Sequence, residues 1–529
     1  MFKILVTDKI SEQGMAVFKR EKDFQVDEKL KMSPEDLKGL VGDYDGWIIR
    51  SGTKITAELL EAAKKLKIVG RAGAGLDNVD LPAATKRGVI VMNTPDGNTI
   101  STAEHTIAMM MSMARQIPQA YASLKEKKWE RTKFVGTELF EKTLGVVGLG
   151  RIGSNVARKA IGLGMRVIAF DPYLDPEKSK GHEFEIVTLK DIIARADFIT
   201  VHTPLTQETK GLFGKKEFAA MKKGVRIINC ARGGIYDEVA LAEALQNGQV
   251  AAAALDVFEK EPPFDSPLLA LDNVVGVPHL GASTTEAQEN VAVVVAEQVV
   301  EALKGGRVRN AANMPSLDPK TLEQIGTALT LVERIGSFQA QLAAGAFIKK
   351  IAVEYHGEIT AFDTKPLTLS LVKGILERVL TDSVNYVNAL VLAKERGYEI
   401  TQSTSEKSED YSSLIRVTVE SDKGKHQISG TVTGKKDLRI VNLDGNATDF
   451  SPVGNMIWMD HEDRPGMVGQ LGTILANNKI NIAGLYVGRQ APGGRAVAMV
   501  NVDNEVSEKV LAELKGIPHI QNLKFIKFS

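Results

Sequence analysis

One stretch, from Thr143 to Asp171, constrains the fold of this chain more than any other: TLGVVGLGRIGSNVARKAIGLGMRVIAFD. An apolar strand leads into three glycines, a helix follows, and a second apolar strand ends in Asp171. In such a turn the first glycine permits a tight bend and the second lets the backbone approach a pyrophosphate. The third lets the helix pack closely on the sheet. The stretch therefore predicts an open parallel α/β sheet that binds a dinucleotide.

The glycines of this turn are Gly148, Gly150 and Gly153. The helix that they open presents free N–H groups and a partial positive charge at its N-terminus, and both favour phosphate. Asp171, at the end of the next strand, is placed to accept hydrogen bonds from both hydroxyls of an adenosine ribose, and its charge would repel a 2′-phosphate. The pattern therefore predicts NAD rather than NADP as the cofactor.

Composition excludes several classes of function. The 529 residues carry 66 basic and 66 acidic side chains, which gives no indication of nucleic acid or an anionic membrane as partner. The apolar runs are too short to span a bilayer. Cys230 is the one cysteine, which fits a reducing compartment and argues against a thiolate metal cluster. We expect a soluble cytoplasmic protein without a metal site, and the length predicts three or four domains.

Short apolar strands alternate with helices in the N-terminal part of the chain, which indicates parallel sheets with right-handed crossovers. One series occupies residues 1–97, where Ser33 and Thr56 are placed as helix N-caps. A second series occupies residues 98–282, with a long predicted helix at each end. We therefore predict a Rossmann-type NAD-binding domain, 98–282, inserted into a flavodoxin-like substrate-binding domain formed by 1–97 and 283–313. The two long helices would act as the hinge.

The rest of the chain has a different pattern of predicted helices and strands. Residues 314–452 combine helices with small-residue faces and long strands, two of which are joined by a predicted hairpin at DKGK, residues 422–425. We expect an α+β domain there, and the family resemblance given below implies that it is regulatory. Residues 453–529 read as strand, helix, strand, strand, helix, strand, which is the order of a ferredoxin-like βαββαβ unit.

Three candidate catalytic groups follow predicted strands at their carboxyl ends, where ligands bind in an open α/β sheet. Arg232 follows VRIINCA, Glu261 follows AAAALDVF and His279 follows NVVGVP. Hydride transfer from an alcohol also releases the hydroxyl proton, which a neutral imidazole accepts near pH 7. A carboxylate on the other ring nitrogen fixes the tautomer, and a guanidinium holds a substrate carboxylate. We predict that Glu261 and His279 form a proton-transfer pair and that Arg232 orients the substrate.

Each of these residues also has a structural interpretation. Glu261 alone suits a solvated loop, and His279 alone suits a helix cap. Their succession on neighbouring strand ends of one dinucleotide fold favours the functional interpretation. His202, in TVHTP, is the second candidate for the base, and His105, within a predicted helix, is expected to be a packing residue.

Several motifs carry a family resemblance. VVGLGRIG, NCARGG, DVFEKEP and PHLGAS occur in an order and spacing that resemble the D-isomer-specific 2-hydroxyacid dehydrogenases. RSGTKIT, GRAGAGLDNVD, NTPDGNTISTAEHT and KWERTKFVG narrow the resemblance to long-form members that act on phosphoglycerate and carry regulatory domains. The resemblance runs along essentially the whole chain.

The resemblance implies roles for individual residues. It implies that Arg232 binds the substrate carboxylate, that His279 is the acid–base residue and that Glu261 is the partner of His279. Cys230 becomes part of the cofactor wall rather than a nucleophile. The residues implied to contact NAD are Gly148, Gly150, Arg151, Ile152, Gly153, Asp171, Thr203, Cys230, Ala231, Asp256, Gly281 and Ala282.

Three arginines are implied to bind the substrate anion. Arg50 ends strand GWIIR and Arg71 lies at the end of KIVGRA, both at the interdomain cleft of this fold. Arg131, in KWERTKF, is a weaker candidate, contributed across a dimer interface. Planar guanidinium groups suit phosphate and carboxylate. The alternative is that all three are surface arginines without a ligand.

The C-terminal unit resembles an ACT domain, a module that binds amino acids where two copies pair. His461, Asp463 and Asn481 match the positions at which relatives bind L-serine. Asp463 departs from the asparagine of some relatives, and all three residues are also ordinary turn formers. The resemblance implies L-serine as an effector and a homo-oligomer, either a dimer or a tetramer.

Together these features predict an enzyme that oxidises 3-phospho-D-glycerate to 3-phosphohydroxypyruvate with NAD, at the entry to L-serine synthesis. Two alternatives stay open. One is a reductase for another 2-oxoacid, such as glyoxylate or hydroxypyruvate, and the other is a dinucleotide-sensing protein of the corepressor type. The arginines favour a phosphorylated substrate, and the amino-acid-binding tail argues against a corepressor.

Overall fold

The structure is a computed structural model, and it describes residues 1–174, 183–315, 319–380, 383–408, 410–434 and 436–528. The strands within these ranges form four sheets, of five, seven, six and four strands. The first two sheets are parallel throughout. Parallel sheets are covered on both faces, which explains why their strands are apolar runs.

The first sheet has the flavodoxin-like strand order that the sequence predicts. Its strands are β1 (Phe2–Val6), β2 (Phe24–Glu28), β3 (Gly46–Ile49), β4 (Ile68–Arg71) and β5 (Ile90–Met92), in the order β2-β1-β3-β4-β5. Its helices are α1 (Glu12–Lys19), α2 (Pro34–Leu40), α3 (Ala57–Ala62) and α4 (Leu81–Lys86). Ser33 and Thr56 cap α2 and α3 with their side chains, as expected. Strand β2 has no apolar pattern that would predict it, because this edge strand is largely polar and partly exposed.

The second sheet has the Rossmann order extended by one strand. Helices α5 (Thr99–Ala114) and α6 (Ile117–Lys125) precede it. Its elements are β6 (Thr143–Val147), α7 (Arg151–Gly162), β7 (Arg166–Phe170), β8 (Glu185–Ile186), α8 (Leu189–Arg195), β9 (Phe198–Val201), α9 (Lys215–Ala220), β10 (Val225–Asn229), α10 (Glu238–Gln246), β11 (Val250–Leu255) and β12 (Val274–Gly276). The order is β12-β11-β10-β9-β6-β7-β8. The two-residue strand β8 is too short for a sequence pattern to predict.

Helix α11 (Thr285–Leu303) returns the chain to the first sheet. Its apolar face, including Val291, Val295 and Val299, is buried with Ile4 and Ile48 of that sheet. Helix α5, in contrast, packs against α7 and β11 of the second sheet. The second sheet is therefore inserted between two parts of the first unit, and the turn that enters α11 lies at the junction of the two.

The third sheet belongs to an α+β unit. Its elements are α12 (Pro319–Leu342), β13 (Ile348–Gly357), α13 (Lys365–Val379), α14 (Ala389–Glu395), β14 (Glu399–Ser405), β15 (Ser413–Ser421), β16 (Gly424–Thr433), β17 (Asp437–Leu443) and β18 (Asn446–Phe450). The predicted hairpin at DKGK joins β15 to β16. This unit touches the first one, since Nδ2 of Asn385 donates to the carbonyl of Gly88 at 2.8 Å and Lys86 pairs with Glu395 at 2.7 Å.

The fourth sheet is the predicted βαββαβ unit. Its elements are β19 (Gly454–Glu462), α15 (Met467–Asn477), β20 (Ile482–Arg489), β21 (Arg495–Val502), α16 (Glu508–Lys515) and β22 (Ile520–Phe528), and the strand order is β20-β21-β19-β22. One face packs on α15 and α16. The other packs on α12, where the ring of Phe338 lies 5.5 Å from that of Phe528. The third and fourth units thus share one hydrophobic core.

None of the helices in the described ranges combines the length and the apolar character needed to cross a bilayer.

Candidate active site

Arg232, Glu261 and His279 lie on three turns at one edge of the second sheet. Strands β10, β11 and β12 are parallel neighbours, so their carboxyl ends meet at that edge. The turn carrying Arg232 packs tightly on the turn carrying Glu261, because a Cβ at Gly233 would lie 2.0 Å from the carbonyl oxygen of Phe258. The backbone therefore places a cation, a carboxylate and an imidazole around a common space.

Glu261 and His279 are joined by a hydrogen bond, with Nδ1 of His279 3.0 Å from Oε2 of Glu261. The other carboxylate oxygen accepts the N–H of Phe258 at 3.2 Å. The bond to Glu261 raises the pKa of His279, against the opposing effect of burial. Burial pushes the pKa of Glu261 upward, but the hydrogen bond and charge of His279 leave it below its usual range. Because Nδ1 faces the carboxylate, Nε2 is the ring nitrogen available to a substrate.

Asp256 holds the turn that carries His279. Its side chain is almost fully buried and accepts the backbone N–H groups of Leu280 at 2.5 Å and Gly281 at 2.9 Å. Burial raises the pKa of Asp256, but His105 and these N–H groups outweigh burial and lower it. The carboxylate thus stays charged and anchors the backbone on the C-terminal side of His279.

Helix α5 holds the same turn from the opposite side. The hydroxyls of Ser101 and Thr102 donate to the carbonyl of Gly281 at 2.8 and 3.1 Å. Nε2 of His105 lies 3.2 Å from Oδ1 of Asp256, so this helical histidine also faces the carboxylate that holds the turn. A signal was present in the sequence, since Ser101 and His105 are four residues apart and share one helix face.

Arg50, Arg71 and Arg232 form a cluster of positive charge in the cleft between the first two sheets. Burial lowers the pKa of Arg71 to about 10, and repulsion from Arg232 and Arg50 acts in the same direction. Nε of Arg71 is buried, and nothing in the described part of the chain accepts a hydrogen bond from it. A buried, incompletely paired guanidinium beside two like charges favours an anionic ligand.

Arg131 is not brought to this cluster within one chain. It lies in an exposed segment after α6, and it forms no hydrogen bond or ion pair with any residue that the structure describes. Apolar side chains surround this position on α6 and the following loop, each more than half exposed. They are Ile117, Tyr121, Leu124, Trp129, Val135 and Phe140.

The turn before α7 fits a dinucleotide. Gly148 has φ of +93°, and a Cβ at Gly153 would lie 1.9 Å from the carbonyl oxygen of Gly148. No side chain caps α7, which begins after Gly150, and no atom lies within 4 Å of the Cβ position there. Asp171 ends β7 and accepts the N–H of Leu149 at 2.9 Å. Free helix N–H groups, open space and a nearby carboxylate suit the phosphates and ribose of NAD.

Other residues expected to contact the cofactor lie around this turn. Nε of Arg151 pairs with Oδ1 of Asp96 at 2.5 Å. Ile152 is partly buried against the core formed with α5. Thr203 follows β9. Its hydroxyl is buried without a partner among the described residues, so it can form a hydrogen bond with a ligand. Ala231 follows β10, its N–H donating to Oδ1 of Asn229, and Ala282 lies with Gly281 on the turn held by Asp256.

Cys230 lies at the end of β10 and is buried. Burial and the charge of Asp256 raise the pKa of its thiol, so the side chain is protonated and unsuited to nucleophilic attack. Its sulfur lies within 4.8 Å of ligand atoms of His105 and Asp256. Both oxygens of Asp256, however, already accept backbone N–H groups. Asp256, His105 and Cys230 are therefore arranged to hold the turn rather than to bind a metal ion.

His202 does not suit the role of base. Its side chain is partly buried, its Nε2 lies 3.0 Å from the hydroxyl of Thr200, and desolvation lowers its pKa to about 3. The side chain therefore stays neutral and packs behind the glycine turn.

The three residues expected to bind an effector lie in the fourth unit but differ in environment. His461 is buried, with Nδ1 bonded to the carbonyl of Glu462 and Nε2 without a partner in the described ranges. Asp463 accepts Nη1 of Arg489 at 2.6 Å. Asn481 is exposed and donates to Asp503 at 2.8 Å. Only His461 therefore combines burial with an unsatisfied polar atom.

Comparison with known proteins matches three successive family models to the chain. Residues 107–281 match the NAD binding domain of the D-isomer specific 2-hydroxyacid dehydrogenases. Residues 324–444 match the D-3-phosphoglycerate dehydrogenase intervening domain, and residues 458–519 match the ACT domain. A D-3-phosphoglycerate dehydrogenase from Archaeoglobus fulgidus is 46% identical over 99% of this chain and 100% of its own length. The chain belongs to the D-3-phosphoglycerate dehydrogenase family.

Further proteins are similar to this chain over all or part of its length. The D-3-phosphoglycerate dehydrogenase of Bacillus subtilis is 44% identical over 99% of both chains. Among solved structures, the TT0316 protein from Thermus thermophilus is 34% identical, with a TM-score of 0.55, over 59% of this chain and 99% of its own. A D-lactate dehydrogenase from Aquifex aeolicus, solved with NAD and lactic acid, is 28% identical, with a TM-score of 0.52, over 57% of this chain and 96% of its own.

The hydrogen bond in the Glu261–His279 pair predicts how His279 titrates. In the wild-type chain the hydrogen bond to Glu261 raises the pKa of His279 above its ordinary value, and Glu261→Gln lowers it, because the imidazolium loses its carboxylate while burial continues to disfavour charge. NMR titration of ring-labelled histidine, with His279→Gln identifying the signal among the eight histidines, measures the change. Glu259→Gln, two residues away on the exposed part of the loop, is the matched control. An equal pKa in Glu261→Gln and in the control would contradict the pairing.

Proposed function

We propose that this member of the family oxidises 3-phospho-D-glycerate to 3-phosphohydroxypyruvate with NAD, at the entry to L-serine synthesis. The observation that carries the proposal is the meeting of the Glu261–His279 pair with the cluster of Arg50, Arg71 and Arg232 at the NAD-binding sheet. The full-length similarity to enzymes named D-3-phosphoglycerate dehydrogenase supports it.

The proton moves through the Glu261–His279 pair. Nε2 of neutral His279 accepts the proton of the substrate hydroxyl, and Glu261 at Nδ1 fixes the tautomer and stabilises the imidazolium that forms. Bound NAD supplies the hydride acceptor. Oxidation requires neutral His279, so its rate falls as the pH drops through the raised pKa of that residue. The reverse reduction requires the protonated ring and falls as the pH rises through the same pKa.

The arginines hold the two anionic groups of the substrate. The charge of Arg232 opposes protonation of His279, which supports binding of the substrate carboxylate to Arg232 beside the reacting carbon. Arg71 and Arg50 extend the positive charge into the first unit, where a terminal phosphate fits. An unphosphorylated 2-hydroxyacid would leave the buried Arg71 without an anion, so the cluster favours phosphoglycerate over glyoxylate or lactate.

The quaternary organisation is also part of the proposal. Exposed apolar residues on α6 and the loop after it, such as Tyr121 and Trp129, are suited to burial against a second copy of the chain. In such a homodimer Arg131 would reach the cleft of the partner. The protein would act in the cytoplasm, consistent with its single buried thiol.

The division of the chain into domains is also a proposal. The domains are residues 1–97 with 283–313, then 98–282, 314–452 and 453–529. The matched ranges of the three family models fall inside the last three of these limits, which supports them.

We further propose that the ACT domain binds L-serine through His461, Asp463 and Asn481. The buried, unsatisfied Nε2 of His461 and the exposed amide of Asn481 offer the polar groups that an amino acid needs. Asp463 is already paired with Arg489, so a ligand ammonium would have to share this carboxylate.

The first prediction from this function concerns His279. His279→Ala should lower kcat for 3-phosphoglycerate oxidation by about 10²–10⁴-fold with little change in the KM for NAD, because only the proton acceptor is lost. NADH absorbance in both directions, with 3-phosphohydroxypyruvate and glyoxylate as competing oxoacids, gives the measurement. His356→Ala, in the third sheet, is the matched control. Near-normal turnover in His279→Ala, or equal kcat/KM for glyoxylate, would count against the proposal.

The second prediction concerns the effector. Calorimetric titration of the full chain should show binding of L-serine but not D-serine, and Asn481→Ala should weaken it by about ten-fold, since one polar contact is removed. Asn504→Ala, an exposed asparagine of the same unit, should bind like the wild type. Absence of L-serine binding, or equal affinity in both variants, would refute the assigned site.

A further inference from the structure

Asp77 links the two halves of the cleft. It lies in the segment after β4, and its Oδ2 is 3.0 Å from Nε of Arg232, which follows β10 in the second sheet. Nη1 of Arg232 donates to the carbonyl of Ala231 at 2.7 Å. Two of the three guanidinium nitrogens are thus held, and no residue in the described ranges accepts a hydrogen bond from Nη2. The held orientation leaves Nη2 for a ligand.

The segment that carries Asp77 lies directly against the arginines. A Cβ at Gly75 would be 2.1 Å from Nη2 of Arg232, and a Cβ at Gly73 would be 1.8 Å from Nη1 of Arg71. Any larger residue would push the guanidinium groups away. The run GRAGAGLDN therefore supplies both the space for two arginines and the carboxylate that orients one of them.

The neighbouring residue holds the third arginine. Nδ2 of Asn78 donates to the carbonyl of Arg50 at 2.7 Å and to that of Thr53 at 2.5 Å. Oδ2 of Asp8 accepts the N–H groups of the same two residues at 2.6 and 3.0 Å. Adjacent side chains, Asp77 and Asn78, thus act on arginines from two different sheets.

The Asp77–Arg232 pair is poorly placed to stabilise the fold. The side chain of Asp77 is 66% exposed, and exposed ion pairs contribute little to stability. Its charge instead acts on the cluster, where Arg71 and Arg232 repel each other and Asp77 offsets that repulsion. Without Asp77, Arg232 would be free to swing away from Arg71 into solvent.

We propose that Asp77 is a positioning residue for the substrate carboxylate, acting by holding the guanidinium of Arg232 across the cleft. The inference rests on the proposed role of Arg232 in binding that carboxylate. In this role Asp77 acts on the substrate through its hydrogen bond to Nε of Arg232 rather than by direct contact. It therefore governs the affinity for the 2-hydroxyacid and leaves the affinity for NAD unchanged.

The test is a double-mutant cycle on the full-length enzyme with 3-phosphoglycerate as substrate. Asp77→Ala should raise the KM for 3-phosphoglycerate by about 10- to 100-fold, the loss expected when a hydrogen bond to a charged group is removed. The KM for NAD and the thermal midpoint should stay near those of the wild type. Asp77→Asn, whose amide oxygen still accepts from Nε, should recover part of the loss. In an Arg232→Ala background, Asp77→Ala should have no further effect.

Asp43→Ala is the matched control, since Asp43 is an exposed carboxylate of the same unit, paired with Lys65 away from the cleft. An unchanged KM in Asp77→Ala would overturn the inference. A lowered KM would also overturn it, by showing that Asp77 competes with the substrate. If the fold-changes in KM of the two single variants multiply in the double variant, Asp77 acts independently of Arg232. A normal KM in Arg232→Ala alone would instead refute the proposed role of Arg232, and the inference with it.

Discussion

A buried carboxylate, Asp256, is the constraint on which the arrangement of this site depends. It accepts two consecutive N–H groups of the turn after β12, while two hydroxyls of α5 hold the carbonyl of the same turn. Because β10, β11 and β12 are parallel neighbours, fixing this turn brings His279 to Glu261 on the adjacent strand end. Several hydrogen bonds thus fix the backbone beside His279. Supporting bonds of this kind hold a side chain that contacts a ligand in one geometry.

The two halves of the cleft carry different charged side chains. The NAD-binding half carries the proton-transfer pair and Arg232, and the other half supplies Arg50, Arg71 and the carboxylate of Asp77. In the proposed function, substrate binding depends on both halves, whereas the hydrogen bond between His279 and Glu261 forms within one half. Helix α5 packs on the second sheet and bonds to the turn that carries His279, and helix α11, which packs on the first sheet, begins shortly after that turn.

Much of this organisation was predictable because its signals are local or follow chain order. The glycine turn, Asp171 and the strand-end positions of Arg232, Glu261 and His279 all follow from reading strands and the residues just after them. What escaped prediction depends on side chains that are far apart in sequence. His105 was read as packing because its contact, Asp256, is 151 positions further along the chain. Asp77 gave no sign of a role, because Arg232 reaches it only once the two sheets face each other. Strand β2 was missed because a polar edge strand lacks an apolar pattern.

The pH dependence of Asp256→Asn at saturating NAD tests whether Asp256 positions His279 for proton transfer. The amide cannot accept both backbone N–H groups, so the turn loosens and the bond between His279 and Glu261 weakens. We predict that kcat for 3-phosphoglycerate oxidation falls by about ten-fold or more and that its acidic limb moves to lower pH, while Asp265→Asn on the exposed loop leaves both unchanged. A wild-type kcat and an unmoved acidic limb in Asp256→Asn would contradict the account.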